Sequence, residues 1–189
     1  MTTSVELVAL KCPRCATLIE AEEEEVAWAC KQCGQGMLLT DSGLAPLTVN
    51  WAAARENAKE VEWRPFWVFS GRVSFSQRQS FGRQTEPDKL WDAPRRFCIQ
   101  AYPASLQQIE TLGADFTRRQ KPLQAGRAAG ALSDCVLFPG DARQAVEFVV
   151  LTIEADRKDK LRSVEFSLDL GEPELWVLPF EGGKLACAD

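Results

Sequence analysis

Histidine is missing altogether from the 189 residues. That absence removes Ser-His and Cys-His nucleophile pairs, the imidazole general base and the usual catalytic zinc sites. Long apolar runs are missing too. The strongest, around Val146–Ile153, is interrupted by Glu147 and Thr152, whereas a membrane-spanning helix needs about 20 apolar residues. The start, MTTSVELVALK, shows no basic leader followed by an apolar stretch, which predicts no secretory signal. The end, Ala186-Cys187-Ala188-Asp189, places its cysteine third from last, so it carries no prenylation box. A basic excess is also lacking. The 22 Lys and Arg against 27 Asp and Glu leave a net charge of -5, which disfavours nucleic acid as a partner.

The remainder is the composition of a folded protein: hydrophobic residues are 46%, charged residues 26%, and six Trp with ten Phe supply bulky core material. Seven Cys is an odd number, and four of them form two CxxC pairs. Without a secretory signal, this predicts a metal site in a reducing compartment, the cytoplasm, in place of a disulfide framework.

The first pair is Cys12-Pro13-Arg14-Cys15. Fourteen residues later comes Cys30-Lys31-Gln32-Cys33-Gly34. Each CxxC makes a tight turn whose two thiolates point at one metal, and the spacer is long enough to bring the turns together. Pro13 presets the first turn; Gly34 permits a positive φ at the end of the second. Four thiolates around one ion predict a single structural Zn2+ held by Cys12, Cys15, Cys30 and Cys33. With every position filled by sulfur, no coordination site remains for a reacting water. Ligand type alone does not separate zinc from iron. A module of about 35–45 residues buries too little surface to fold unaided, so it is expected to depend on its metal.

Residues 10–45 (LKCPRCATLIEAEEEEVAWACKQCGQGMLLTDSGLA) resemble the zinc ribbons of many bacterial and archaeal proteins, a class that includes transcription, ribosomal and replication proteins. Further along, RPFWVFSGRV, FCIQAYPAS, LGADFTRRQ and LWVLPF are similar to a group of uncharacterised bacterial proteins in which a ribbon precedes a domain with a Pro-Phe-Trp strand. That group is often labelled primosomal-helicase-like. The chain has no phosphate-cradling G-x-x-x-x-G-K-[ST] loop, so the resemblance implies no helicase activity.

Patterning divides the chain into a ribbon over 1–45, a connector over 46–62 and an α+β domain over 63–189. In the ribbon, 5–10 and 37–40 read as strands. Residues 17–19 and 26–28 flank the acidic tip Glu22–Glu25 as hairpin arms. Trp51–Lys59 has helical propensity but reads equally as an extended linker. Trp63–Phe75 is a strand by composition, with Pro65 at an edge or bulge. Residues 76–94 read as a loop or hairpin excursion, and Phe97–Tyr102 as the next strand. Ser105 and Gln108 have capping-box spacing, opening a helix that Gly113 is expected to end. Residues 117–134 read as a surface loop, and 134–138 as a candidate strand. Pro139-Gly140-Asp141 caps a second helix near 142–155, whose Ala145, Val146, Val149, Val150 and Ile153 form a buried face. Leu161–Leu170 and Leu175–Phe180, separated by Gly-Glu-Pro-Glu, predict a final β-hairpin. The expected fold is therefore α+β: a small N-terminal β-rich ribbon, then a mostly antiparallel sheet packed with about two helices.

Two stretches are candidate interaction surfaces. Trp63, Phe66 and Trp67 read either as core or as an exposed aromatic patch. Arg118, Arg119, Lys121 and Arg127 read as a solvated basic loop or as a site for phosphate or an acidic partner. Cys98, Cys135 and Cys187 read as buried, inert thiols. No catalytic constellation emerges. The functional expectation is a non-catalytic, zinc-stabilised adaptor or subunit of a larger protein assembly. The alternatives are a nucleic-acid-binding ribbon protein or, less favoured, an enzyme using carboxylates.

Overall fold

The computed structural model describes residues 10–81, 83–84, 87–129 and 132–188. The strand expected over 5–10 lies, apart from Leu10, outside them. The elements, in order, are β1 (Ala27–Ala29), β2 (Gly36–Thr40), β3 (Gly43–Leu47), β4 (Val49–Trp51), β5 (Glu62–Ser80), β6 (Arg83–Gln84), a 3-10 turn (Lys89–Asp92), β7 (Arg95–Gln100), α1 (Leu106–Arg119), α2 (Pro139–Ala155), β8 (Leu161–Leu170), β9 (Glu174–Glu181) and β10 (Lys184–Leu185). This is an α+β fold, with two α-helices and mostly antiparallel pairing among the described residues.

β1, β2 and β3 form a small antiparallel sheet. The expected pairing of 17–19 with 26–28 does not form. Leu18 bridges back to Lys11, and β1 pairs forward with β2. Each CxxC turn reverses the chain by itself, so each makes its own small hairpin and the acidic segment only joins them.

The large sheet is organised by β5, which runs on through the expected loop region to Ser80. Its polar residues 76–80 are strand residues because both flanks pair, with β8 on one side and β6 on the other. β7 lies beside β6 on that second side. β9 pairs with the first part of β5, Glu62–Val68, on the same side as β8. The expected β8–β9 hairpin is therefore absent. Leu170 faces Gly71 and Glu174 faces Val68, so β8 and β9 follow one another along one edge of β5 with a single extra residue between them. Gly171-Glu172-Pro173 is a jog in one path and does not reverse the chain. The real hairpin is β9–β10, where Gly182 and Gly183, at φ 54° and 76°, make the two-residue turn that needs positive φ at both positions.

Pro65 sits inside β5 and is buried, at a place where its missing N–H is useful. Its carbonyl accepts from Ala101 N–H at 3.0 Å, so its nitrogen faces the same neighbour. The Ala101 carbonyl that a normal residue would have bonded instead accepts from Val136 (2.7 Å) and Leu137 (3.1 Å) N–H groups. This fastens the segment before α2, where the expected strand does not form. The connector region is extended as well: β4 pairs in parallel with β9, and Ala52 and Ala54 form bridges, so no helix forms over 51–59.

Alternation along β5 sends Trp67, Phe69 and Val73 to one face and Phe66 and Val68 to the other. The first face packs under α2, through Ala145, Val146, Val149, Val150 and Ile153. The second packs with Phe116, Leu178, Phe180 and Cys187. α1 reaches both clusters, through Ala114 and Phe116, because it lies along β7. The Ser105–Gln108 capping box opens α1 as expected. Gly113 does not end it. The helix continues to Arg119 and closes on Gln120 in the left-handed conformation. Gly113 is where α1 meets α2: a Cβ there would stand 2.6 Å from Val149 Cγ2. Gly113→Ala is therefore expected to destabilise. An overpacking cost of about 1–3 kcal/mol outweighs the roughly 1 kcal/mol that alanine gains over glycine in a helix. A lowered urea midpoint with unchanged slope would show it, and a raised midpoint would refute the close contact. α2 starts earlier than expected, with Phe138 as N-cap and Pro139 in its first turn; Asp141 does not cap it.

Candidate metal centre

Cys12 and Cys15 flank one turn, Cys30 and Cys33 another, and the two turns share a backbone design. Cys12 C=O accepts from Ala16 N–H at 2.9 Å, and Cys30 C=O accepts from Gly34 N–H at 2.8 Å. Cys12 N–H donates to Thr17 C=O and Cys30 N–H to Gln35 C=O, each at 2.9 Å. The residue after the second cysteine is left-handed in both turns, Ala16 at φ 59° and Gly34 at φ 71°. The sequence signalled this at Gly34 but gave no sign of it at Ala16.

The four sulfurs lie within 4.8 Å of one another. Cys12 Sγ is 3.6 Å from Cys33 Sγ, and Cys15 Sγ is 3.5 Å from Cys30 Sγ. These close contacts cross between the two turns, as the edges of one tetrahedron would. Four sulfurs at about 2.3 Å from a central ion stand about 3.8 Å apart, whereas a disulfide requires about 2.05 Å. The cluster has the dimensions of a single-ion site, and these four residues can hold a metal ion.

The electrostatics point the same way. The hydrogen bond to the Thr17 side chain, 3.2 Å from the sulfur, leads the effects that pull Cys15 down to about 6. At Cys33 the backbone N–H of Gln35 pulls down, but desolvation and the three neighbouring thiols together push it up to about 12. Protons leave such a cluster one against another, because its negative charges crowd together. A bound cation removes that repulsion and holds all the thiols as thiolates.

Around the sulfurs a small apolar cluster forms from Trp28 and Met37, with Leu10, Ile19, Leu39 and Leu44 packed against it. Lys31 Nζ donates to Glu20 Oε2 at 2.5 Å, tying the second turn to the end of the first; both side chains are exposed and contribute little. Glu25 is the exception to the expected solvated acidic tip. It is half-buried, its Oε2 accepting from Trp28 Nε1 at 2.9 Å and its Oε1 from Asp134 N–H at 3.0 Å. Beside it, Val26 N–H donates to Cys135 C=O at 2.7 Å, and Val26 and Ala27 belong to the main core cluster. The metal module is thus docked onto the α+β part through residues 25–27.

Phe66 and Trp67, candidates for an exposed aromatic patch, are 0% and 1% exposed and form core on opposite faces of β5. Trp67 also donates from Nε1 to Leu137 C=O at 2.7 Å. Trp63 is half-buried, edge-on to Trp51 at 5.5 Å. The basic residues do not converge. Arg118 pairs with Asp156 at 2.7 Å and Arg119 with Asp115 at 2.8 Å, while Lys121 and Arg127 are exposed. Arg119 and Lys121 border a cleft of ≈ 730 Å³ with Arg55, Lys184 and Glu181, and Arg55 is already paired with Glu181. Cys98, Cys135 and Cys187 are buried; burial leads in pushing them up, to about 12, 12 and 11, which keeps these thiols protonated.

Sequence reasoning missed a strongly buried ionic group. Arg78 and Glu154 are 2% and 0% exposed. Arg78 bonds Glu154 through Nε and Asp159 through both terminal nitrogens, while Glu154 Oε1 also accepts from Trp91 Nε1 at 2.8 Å and Asp88 N–H at 3.1 Å. The Asp159 hydrogen bond, with desolvation opposing, leads the effects that raise the Arg78 pKa. The only hint in the sequence is that Glu154 follows Val150 and Ile153 on the buried face of α2. No helix among the described residues is long and apolar enough to cross a membrane. No family model matches the chain, and no curated protein or solved structure matches it either.

Proposed function

We propose that Cys12, Cys15, Cys30 and Cys33 bind one structural Zn2+, and that the protein is a non-catalytic, zinc-stabilised adaptor or subunit of a larger protein assembly. The observation that carries this reading is the donor set. Four sulfurs within 4.8 Å of one another can fill every position of a tetrahedral ion, so its contribution is to folding and not to chemistry. Zinc is favoured over iron because the site needs no redox change to do that work. Metal analysis of fresh protein should give one zinc per chain and no visible absorption; a coloured, iron-containing protein would overturn the zinc assignment.

The rest of the reading draws on the acidic balance of the ribbon and on a chain without histidine. A nucleic-acid role would draw on Lys121 and Arg127, but Arg118 and Arg119 are engaged by acids. Tagged at its natural level and purified in moderate salt, the protein is expected to bring down a defined set of other proteins in fixed ratio. A monomer that retains no partner in lysate would sink the adaptor reading. Salt-sensitive retardation of DNA or RNA would replace it with nucleic-acid binding.

A further inference from the structure

Sheet edges are templates for pairing, and proteins shorten, cover or charge them. This one does so at nearly every edge of its large sheet. β6 and β10 are two residues each. On the open side of β7, along which α1 lies, the Gln120 side-chain amide accepts from Arg96 N–H at 3.1 Å and donates to Arg96 C=O at 2.9 Å, as a neighbouring strand would. The strand end at β4 is covered by residues 124–126: Ala52 bridges Ala125, and Gly126 N–H donates to Trp51 C=O at 2.6 Å.

β8 is different. It is ten residues long and has no Pro, Gly or Lys; its charges are Arg162, at a bulge near its start, with Glu165 and Asp169 on the face away from α2, and no strand among the described residues pairs with its outer side. Gly171 N–H donates to Ser70 C=O on β5, and Ser76 Oγ donates to Glu165 C=O. From Ser163 to Gly171 the odd-numbered backbone groups therefore face β5, and those of Val164, Phe166 and Leu168 face outward. The side chains of these three residues, with Leu170, are only half-buried, and Leu151 on α2, which lines the same groove, is 37% exposed. An open hydrogen-bonding edge from Val164 to Leu168 thus runs beside a partly covered apolar strip, in a groove of ≈ 590 Å³ that Arg143, Gln144 and Glu147 of α2 also line; Arg143 caps the far end by donating to Leu170 C=O at 3.2 Å.

We propose that this edge is occupied by a second copy of the same chain, β8 pairing antiparallel with β8 about a two-fold axis at Phe166. The strand's own sequence selects that occupant and register. Residues directly opposite must share a face, so the registers move in steps of two. Centring on Glu165 sets Glu165 against itself. Centring on Ser167 sets Glu165 against Asp169 twice. Centring on Phe166 sets Glu165 against Ser167, Ser163 against Asp169, Val164 against Leu168 and Phe166 against its twin. No like charges stand directly opposite one another, Glu165 meeting acids only on the longer diagonals, and Ser163–Asp169 is paired throughout. Centres further out keep a shorter overlap. The outward backbone groups of Val164, Phe166 and Leu168 become hydrogen-bonded pairs in this register, and the two apolar strips join into one. The interface is isologous and closes on itself. It does not depend on the adaptor reading or on which metal is bound.

Sedimentation of the full, metal-loaded protein over a concentration series tests it. The expected result is a species of twice the 21.0 kDa chain mass. Ser167→Glu, at an exposed position on the face away from α2, sets a carboxylate against the second copy's Glu165 on both sides of the axis. It is expected to weaken the dimer roughly tenfold or more while far-UV circular dichroism stays unchanged. Adding Glu165→Lys makes both contacts opposite-charge pairs and is expected to restore the dimer. A wild-type monomer up to hundreds of micromolar would overturn the proposal and leave the edge to another protein's strand or to none. A dimer indifferent to Ser167→Glu, or one not rescued by the second change, would place the contact elsewhere.

Discussion

Cys30→Ser is expected to abolish stoichiometric metal binding and unfold the residues from Leu10 to Leu47. Structural zinc in ribbon-sized modules contributes roughly 10–16 kcal/mol of apparent binding free energy, more than the net stability of most domains. The apolar cluster beside the sulfurs is small, with Trp28 and Met37 as its largest buried members, and cannot hold the module alone. The damage is expected to spread, because Val26 and Ala27 belong to the main core and Glu25 bonds the Asp134 backbone. Hydrogen exchange before and after a strong chelator should show protection lost first at β1–β3 and then weakened at 132–137, against which residues 25–27 dock. A Cys30→Ser protein that keeps one metal per chain, or a chelated protein with ribbon protection intact, would refute a metal-dependent fold.

Glu154→Ala is expected to lower the unfolding free energy by about 3–5 kcal/mol, the usual cost of removing one partner from a buried ion pair. The change strands Arg78 Nε, Trp91 Nε1 and the Asp88 N–H at once, and takes away the acceptor of the more exposed Arg157 Nη1 as well. Asp159 still faces the guanidinium, so the charge is not wholly uncompensated. The group pins the end of β5, the end of α2 and the 88–92 segment to one another. The double variant Arg78→Met with Glu154→Leu, which removes both charges, should recover much of the loss; the two changes are expected to be strongly non-additive in urea unfolding. A loss below about 1 kcal/mol in the single variant would mean that water reaches the site and replaces the carboxylate.

The α2 face, the β8 alternation and the Ser105 cap were legible because each is a local pattern, carried by spacing within one element. The β8–β9 relation was not. Two alternating runs separated by Gly-Glu-Pro-Glu have the same local signature whether the chain reverses or jogs past one residue. What decides between them is the length of β5, which offers both runs a place on the same edge. That length was hidden because Gln77, Arg78 and Gln79 are polar, and polarity reads as loop until neighbouring strands are known to lie on both sides. The aromatic run of β5 was ambiguous for a related reason: Phe66 and Trp67 suit an interface as well as a core, and only layers on both faces of the sheet make them core.

Chemistry that depends on residue type and short spacing was fixed by the chain alone: two CxxC turns that can meet at one ion, and, through the lack of histidine, no imidazole for catalysis. Whatever depends on distant partners was decided only in three dimensions. Glu25 becomes a dock because Asp134 comes to it, Pro65 becomes an asset because the Ala101 carbonyl is taken up by Val136 and Leu137, and β8 becomes an edge because, among the described residues, only β5 pairs with it. The physical reason is range. Turn geometry and metal affinity are set within a few residues, whereas burial and strand pairing are properties of what the rest of the chain brings alongside.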